Sequence, residues 1–278
     1  MIKKAVVKFC ILALLALLGV STSAVSATIY LDKGQPDRID KKFLHSNDPN
    51  LPRIYITGDI TPGDNKKFAA VLDEMESVRR ALPYTPDVWL NSTGGDVVTA
   101  MNISRQIRAK MLQTSVDNSA TCASACVLIL AGGVERGWGV TARIGLHRPY
   151  YQDYQRAGSQ GYDKYKVGYE AIIAAHRKFF DEMGISMRLL EAMLEIPSNE
   201  IRWISRDFAK STNLFGSDPA WKEWRRAKSI AEDGIENVIW WDRTLKCFND
   251  HLHDATFDAF DDCIKNLGPE PPKKQTTK

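Results

Sequence analysis

Between Arg53 and His147 short β-branched runs alternate with stretches of helical period, and turn residues punctuate nearly every change. Residues 53–60 (RIYITGDI) read as a strand closing at Gly58-Asp59. Thr61-Pro62-Gly63-Asp64 then supplies a turn and an N-cap. Across 65–82, Phe68, Val71, Leu72, Met75 and Val78 recur at the spacing of one helix face, and Pro83 and Pro86 stop the helix. Residues 87–91 (DVWLN) predict a buried strand, 97–111 a second helix and 112–116 another strand. After Ala120 a small-residue turn, TCASAC, feeds the apolar run 127–131, which Gly132-Gly133 ends. A further strand is expected within 140–147, and 161–195 is helical with a break at Gly184. Strand and helix alternating through short connections predict an α/β core.

The two ends differ from this pattern. Lys3, Lys4 and Lys8 precede the apolar stretch 9–20, and small residues follow. This is the layout of a secretory signal peptide, with Val25-Ser26-Ala27 or Thr22-Ser23-Ala24 as the cleavage site. The apolar stretch is shorter than the roughly 20 residues a membrane span needs. The expectation is an exported, periplasmic protein whose first 27 residues are removed. That removal takes three lysines and no acid, leaving 34 basic against 34 acidic residues. A near-neutral chain gives no electrostatic support to a nucleic-acid partner.

At the other end, 221–266 reads as a helical hairpin turning near 251–254, where Asp254 would cap the second arm. Trp221, Trp224, Trp240 and Trp241 are expected to face the core rather than form a ligand platform. The tail 269–278 is rich in proline and lysine and reads as disordered. The mature chain keeps Cys122, Cys126, Cys247 and Cys263, an even number in an oxidising compartment. Four cysteines allow three pairings, and proximity favours Cys122 with Cys126 and Cys247 with Cys263. The rival reading, a zinc site, is a poor match to the spacing C-x3-C followed far away by C-x15-C.

Three segments carry chemistry. Asn91-Ser92-Thr93-Gly94-Gly95-Asp96 lies between a strand and a helix, and its two glycines leave main-chain N–H groups bare enough to hold an oxyanion. Thr121-Cys122-Ala123-Ser124-Ala125-Cys126 places a serine at the head of an apolar helix, where the first-turn amides favour negative charge. The competing assignment for Ser124 is a helix N-cap. Ile144-Gly145-Leu146-His147-Arg148-Pro149 ends a strand on a histidine, the usual general base near neutral pH.

In this order and spacing the three segments resemble the Clp protease proteolytic subunit and its crotonase-fold relatives. The matching features are N-S-T-G-G, A-S-A before an apolar helix ending in A-G-G, a basic glycine-bearing link, and R-I-G-L-H-R-P. The resemblance runs from about Arg53 to Gly216. It implies a repeated β-β-α spiral core spanning 28–218, with the hairpin (219–268) and tail appended. It also implies a serine peptidase in which Ser124 is the nucleophile, His147 its base, and the amides of Gly95 and Ala125 the oxyanion hole.

For the third triad member, counting back from Trp203-Ile204-Ser205 lands on Ile201, which cannot orient an imidazole. With a one- or two-residue shift in the loop after Pro197, Glu200 or Asn199 would take the place. Glu200 is the expected residue because a carboxylate would also stabilise the imidazolium, Asn199 the alternative and Asp207 a weaker candidate. The resemblance further implies a polypeptide substrate and a ring or other homo-oligomer. Export argues against an ATPase partner, and the reading requires neither a cofactor nor a metal. A coenzyme A-dependent crotonase activity and a non-catalytic binding module are the alternatives.

Overall fold

The computed structural model describes residues 26–35, 51–79, 87–150, 161–251 and 258–272. The first 25 residues, the turn of the expected hairpin with Asp254, and the last six residues of the tail lie outside the described residues. Among the described residues no helix is long and apolar enough to cross a membrane.

Among the described residues nine strands form two sheets. The larger has the order β1-β2-β3-β4-β6-β9 and comprises Thr28–Asp32 (β1), Arg53–Thr57 (β2), Asp87–Asn91 (β3), Gln113–Val116 (β4), Glu135–Trp138 (β6) and Gly216–Ser217 (β9). Its four inner strands are parallel, and β1 and β9 close the edges antiparallel. The smaller sheet joins Thr121–Ala123 (β5), Arg143–Leu146 (β7) and Arg202–Trp203 (β8), with β5 and β7 parallel and β8 antiparallel to β7.

The helices are Asp64–Arg79 (α1), Val97–Ala109 (α2), Ala125–Ala131 (α3), Gly161–Glu182 (α4), Met187–Leu194 (α5), Arg206–Ser211 (α6), Pro219–Asp233 (α7), Ile235–His251 (α8) and Asp258–Leu267 (α9). The α/β class is the one expected. In β4-β5-α3 and again in β6-β7-α4, the first strand enters the larger sheet and the second the smaller. This is the β-β-α repeat. Its consequence is that the C-terminal ends of β5 and β7 come together beside the residues that follow β3.

Side-chain alternation explains the layering. Ile54 and Ile56 on β2, and Val88 and Leu90 on β3, are buried in the core with Phe68 and Met75 of α1 and Ile103 and Ile107 of α2. The other face of the same strands carries an aromatic ladder, with Tyr30 and Tyr55 centroids 5.2 Å apart and Tyr55 6.2 Å from Trp89. Cross-strand pairs of this kind fix register at a fraction of a kcal/mol each.

Asp87 opens β3 with a buried side chain whose Oδ1 has no hydrogen-bond partner among the described residues. Burial pushes its carboxyl up to about 6, against the pull of the Arg53 charge. The folded state therefore binds this proton more tightly than the unfolded chain does. The associated stability is present below the ordinary carboxylate pKa near 4 and is lost as pH rises towards 6. Asp87→Asn is expected to flatten stability across pH 4–6. At pH 7 it should raise the denaturant midpoint by the equivalent of about 1–2 kcal/mol, measured by urea unfolding.

Four expectations need correction. Residues 121–123 form a strand rather than part of a turn, and the basic link 135–138 is β6, whose buried member is an arginine. Among the described residues the C-terminal unit has three helices where a hairpin was expected, because Gly234 (φ 90°) breaks the first arm between α7 and α8. Two of the four tryptophans there are not core-facing, Trp224 being 47% and Trp241 54% exposed, while Trp221 and Trp240 are half-buried. α8 and α9 are joined by Cys247–Cys263 (Cα–Cα 5.8 Å), which is the expected pairing.

That unit is anchored to the core by a buried ionic cluster. Asp218 caps α7 by accepting from the Trp221 amide at 3.0 Å, while its other oxygen receives Arg108 Nη1 at 3.2 Å and Arg136 Nη2 at 3.4 Å. Arg136 is fully buried and also donates to the carbonyls of Ala131, Met183 and Asn213. Burial, and then the neighbouring Arg108 charge, lower its pKa to about 10.

Candidate active site

Strand β5 passes into helix α3 through a single residue, Ser124, with φ 55° and ψ −126°. A residue bearing a Cβ rarely adopts positive φ, and holding one there costs about 1–3 kcal/mol. Several local features impose it. The Ser124 amide donates to the Gly145 carbonyl at 3.0 Å, and the Ser124 carbonyl accepts from Val127 at 3.0 Å. Ala123 and Ala125 are small enough to be buried on either side. Cys122 and Cys126 are disulfide-bonded across the turn, with Cα atoms 5.2 Å apart. A loop this short gains about 2 kcal/mol in the chain-entropy model, comparable to the strain it spans.

The N-cap reading of Ser124 fails here, because its side chain makes no capping hydrogen bond to α3. A strained serine between strand and helix, with its hydroxyl unused by the backbone, is the local geometry of a nucleophile elbow. Among the described residues Cys122, Cys126, Cys247 and Cys263 are all disulfide-bonded.

The glycine segment is fitted against this elbow. Ser92 and Cys122 form a parallel bridge, with the Ser92 amide donating to Thr121 O at 2.8 Å and the Ala123 amide to Ser92 O at 3.0 Å. Gly94 (φ 113°) and Gly95 (φ 133°) hold conformations open to glycine. A methyl on Gly94 would lie 2.6 Å from Ser124 Cβ and 2.9 Å from the Ala125 nitrogen, and one on Gly95 would lie 2.1 Å from the Ile60 carbonyl oxygen. The pair is therefore required by close approach as well as by turn geometry. Asp96 then caps α2, accepting from the Thr99 amide at 2.7 Å. Among the described residues the amides of Gly95 and Ala125 donate to no acceptor.

His147 follows β7, the parallel partner of β5. Since Ala123 aligns with Gly145, Ser124 and His147 both follow the C-terminal ends of adjacent parallel strands. The imidazole is 9% exposed and lies 6.2 Å from the Tyr150 ring. Its Nδ1 is 2.8 Å from the Arg148 carbonyl oxygen. A carbonyl only accepts, so Nδ1 carries the hydrogen, and in the neutral imidazole the lone pair is then on Nε2. Arg148 is itself fixed, its amide and Nε both donating to the Ile196 carbonyl at 3.0 and 3.2 Å. No hydrogen bond joins the Ser124 hydroxyl to His147 among the described residues.

The register of β7 with β8 pairs Gly145 with Trp203 and Leu146 with Arg202, and its continuation sets Ile201 opposite His147. Ile201 Cγ2 would lie 2.6 Å from a methyl on Gly145, so the isoleucine covers the strand there. Glu200 sits in a turn with its amide on the Pro197 carbonyl, and Asp207 lies in the first turn of α6. Neither Glu200, Asn199 nor Asp207 bonds His147, whose Nδ1 is occupied by the main-chain carbonyl. No side-chain motif could have announced a carbonyl in that role. His176 is buried in α4 with Nδ1 on Ile172 O at 2.8 Å, and burial lowers its pKa; its setting is structural.

No protein-family model matches the chain, and no curated protein matches it. Among solved structures it is similar to an asparagine-to-aspartate mutant of ClpP1 from Listeria monocytogenes, at 17% identity and TM-score 0.44 over 58% of this chain and 86% of that one. It is also similar to a serine-to-alanine mutant of the membrane-bound stomatin-specific protease 1510-N, at 20% identity and TM-score 0.43 over 58% of this chain and 75% of that one.

Proposed function

We propose that this chain is an exported serine hydrolase that cleaves loosely folded or unfolded polypeptides without an ATPase partner. The observation that carries the reading is Ser124, strained at φ 55° with a hydroxyl that caps no helix. Backbone strain of this kind persists where the surroundings over-determine it and concentrates at functional sites.

In the proposed mechanism Ser124 Oγ attacks the scissile carbonyl while His147 Nε2 takes its proton. The carbonyl oxygen becomes an oxyanion and receives the N–H groups of Gly95 and Ala125. The tetrahedral species collapses as His147 returns the proton to the leaving amine, leaving an acyl-serine. Water, deprotonated by the same nitrogen, attacks the ester, and the proton passes back to Ser124 as the acid departs. The Arg148 carbonyl keeps His147 in the required tautomer but brings no full negative charge to the imidazolium, so a modest turnover is expected. Glu200, next in sequence to the residue facing His147, is the carboxylate that a shift of the 197–200 turn would bring in.

The test is degradation of a reduced, carboxymethylated polypeptide by the mature protein without nucleotide. Fragments should accumulate with wild type and be missing with Ser124→Ala and His147→Ala. Equal degradation by all three would remove the reading.

A second reading is a non-catalytic binding module of the same fold. It is favoured by the isoleucine opposite His147 and by the missing Ser124–His147 hydrogen bond. A wild-type protein that never turns over, yet binds polypeptide with Ser124→Ala unaltered, would select it.

A further inference from the structure

We infer that the Cys122–Cys126 disulfide is a positioning element for the nucleophile, so that Ser124 reaches its reactive geometry only when this bond is closed. The inference rests on the serine-hydrolase reading and adds a covalent requirement to it. The bond joins residues four apart in sequence, and Ser124 stands midway between them. It is not needed to hold a loose region together, because both cysteines are fully buried and all seven residues of α3 are buried around them.

Cys247–Cys263 stands in a different setting. It ties α8 to α9, a helix with no buried residue, and there a cross-link substitutes for missing packing. At the elbow the packing is complete and the unusual quantity is the backbone of Ser124. Two main-chain hydrogen bonds hold that residue, one to Gly145 and one from Val127. Each of these can open by local fraying of the turn, whereas the disulfide clamps the last residues of β5 covalently to the first turn of α3. Because a disulfide forms in an oxidising compartment, the chain would be competent only after export.

The experiment compares the mature wild type with the double variants C122A/C126A and C247A/C263A. C122A/C126V, which restores much of the buried volume, guards against failure of the first pair to fold. One readout is the rate of fluorophosphonate labelling at saturating and sub-saturating reagent. The other is amide exchange at Ser124 and Val127, which needs no catalysis. The expected result is a loss of at least tenfold in the inactivation rate constant for both elbow variants, with reagent binding unchanged. Exchange at the two amides should be at least tenfold faster, and C247A/C263A should label like wild type. Wild-type labelling by the elbow variants overturns the inference. If not even the wild type labels, faster exchange in the elbow variants keeps the positioning role and removes the hydrolase reading, while unchanged exchange removes both.

Discussion

Ser124→Ala is expected to lower peptide hydrolysis by about 10³- to 10⁶-fold, the range set by losing the nucleophile of a cooperative catalytic group. Global stability should hardly move, because alanine must adopt the same positive φ and the serine hydroxyl caps nothing. Ser124→Gly separates strain from chemistry. Glycine accepts φ 55° without penalty, so this variant should be equally inactive yet more stable by about 1 kcal/mol. A residue that is both essential and locally destabilising is the signature of a site kept for function. Steady-state rates combined with thermal unfolding check both halves. Full activity in Ser124→Ala would place the chemistry elsewhere.

Asp218→Ala is expected to destabilise the fold by about 3–5 kcal/mol, since it leaves buried positive charge without its partner. Arg136 is fully buried and Arg108 lies against the same carboxylate, so the substitution removes one anion from between two cations. The lost cap of α7 adds about 1 kcal/mol. Thermal unfolding followed by circular dichroism should show a fall in Tm of about 10 °C or more, at 2–4 °C per kcal/mol for a chain of this size. Arg136→Met, which removes a charge rather than orphaning one, should cost less. A drop below about 2 °C for Asp218→Ala would mean that the cluster is hydrated and does not anchor the helical unit.

How much of this was legible in the sequence depends on which kind of atom carried the information. Side-chain periodicity marked β3, α1 and α2 closely, because Phe68, Leu72 and Met75 all point one way into a single core. Periodicity failed at β6, whose buried residue is Arg136. A charged side chain satisfied by carbonyls reads as surface until its partners are known. It failed again at Trp224 and Trp241, where the expected burial of aromatics did not hold. The break at Gly234 was hidden because a glycine within a helical pattern signals a stop only when its φ is known.

The candidate site was legible in the same uneven way. Ser124, His147 and the glycine pair were singled out through the family resemblance that their three segments carry in order. The strain at Ser124, the vacant capping role of its hydroxyl and the contact of Gly94 with the elbow are backbone facts that composition does not encode. The partner of His147 escaped a search for carboxylates because Arg148 supplies it from the main chain.

The measurement that bears most directly on the central claim is covalent trapping of the serine. Mature, oxidised protein is incubated with a fluorophosphonate, digested, and the modified peptide sequenced by mass spectrometry. One adduct per chain on Ser124, lost in His147→Ala, is the predicted result. A folded protein that stays unmodified, or carries the adduct on another residue, would contradict the assignment of Ser124 as an activated nucleophile.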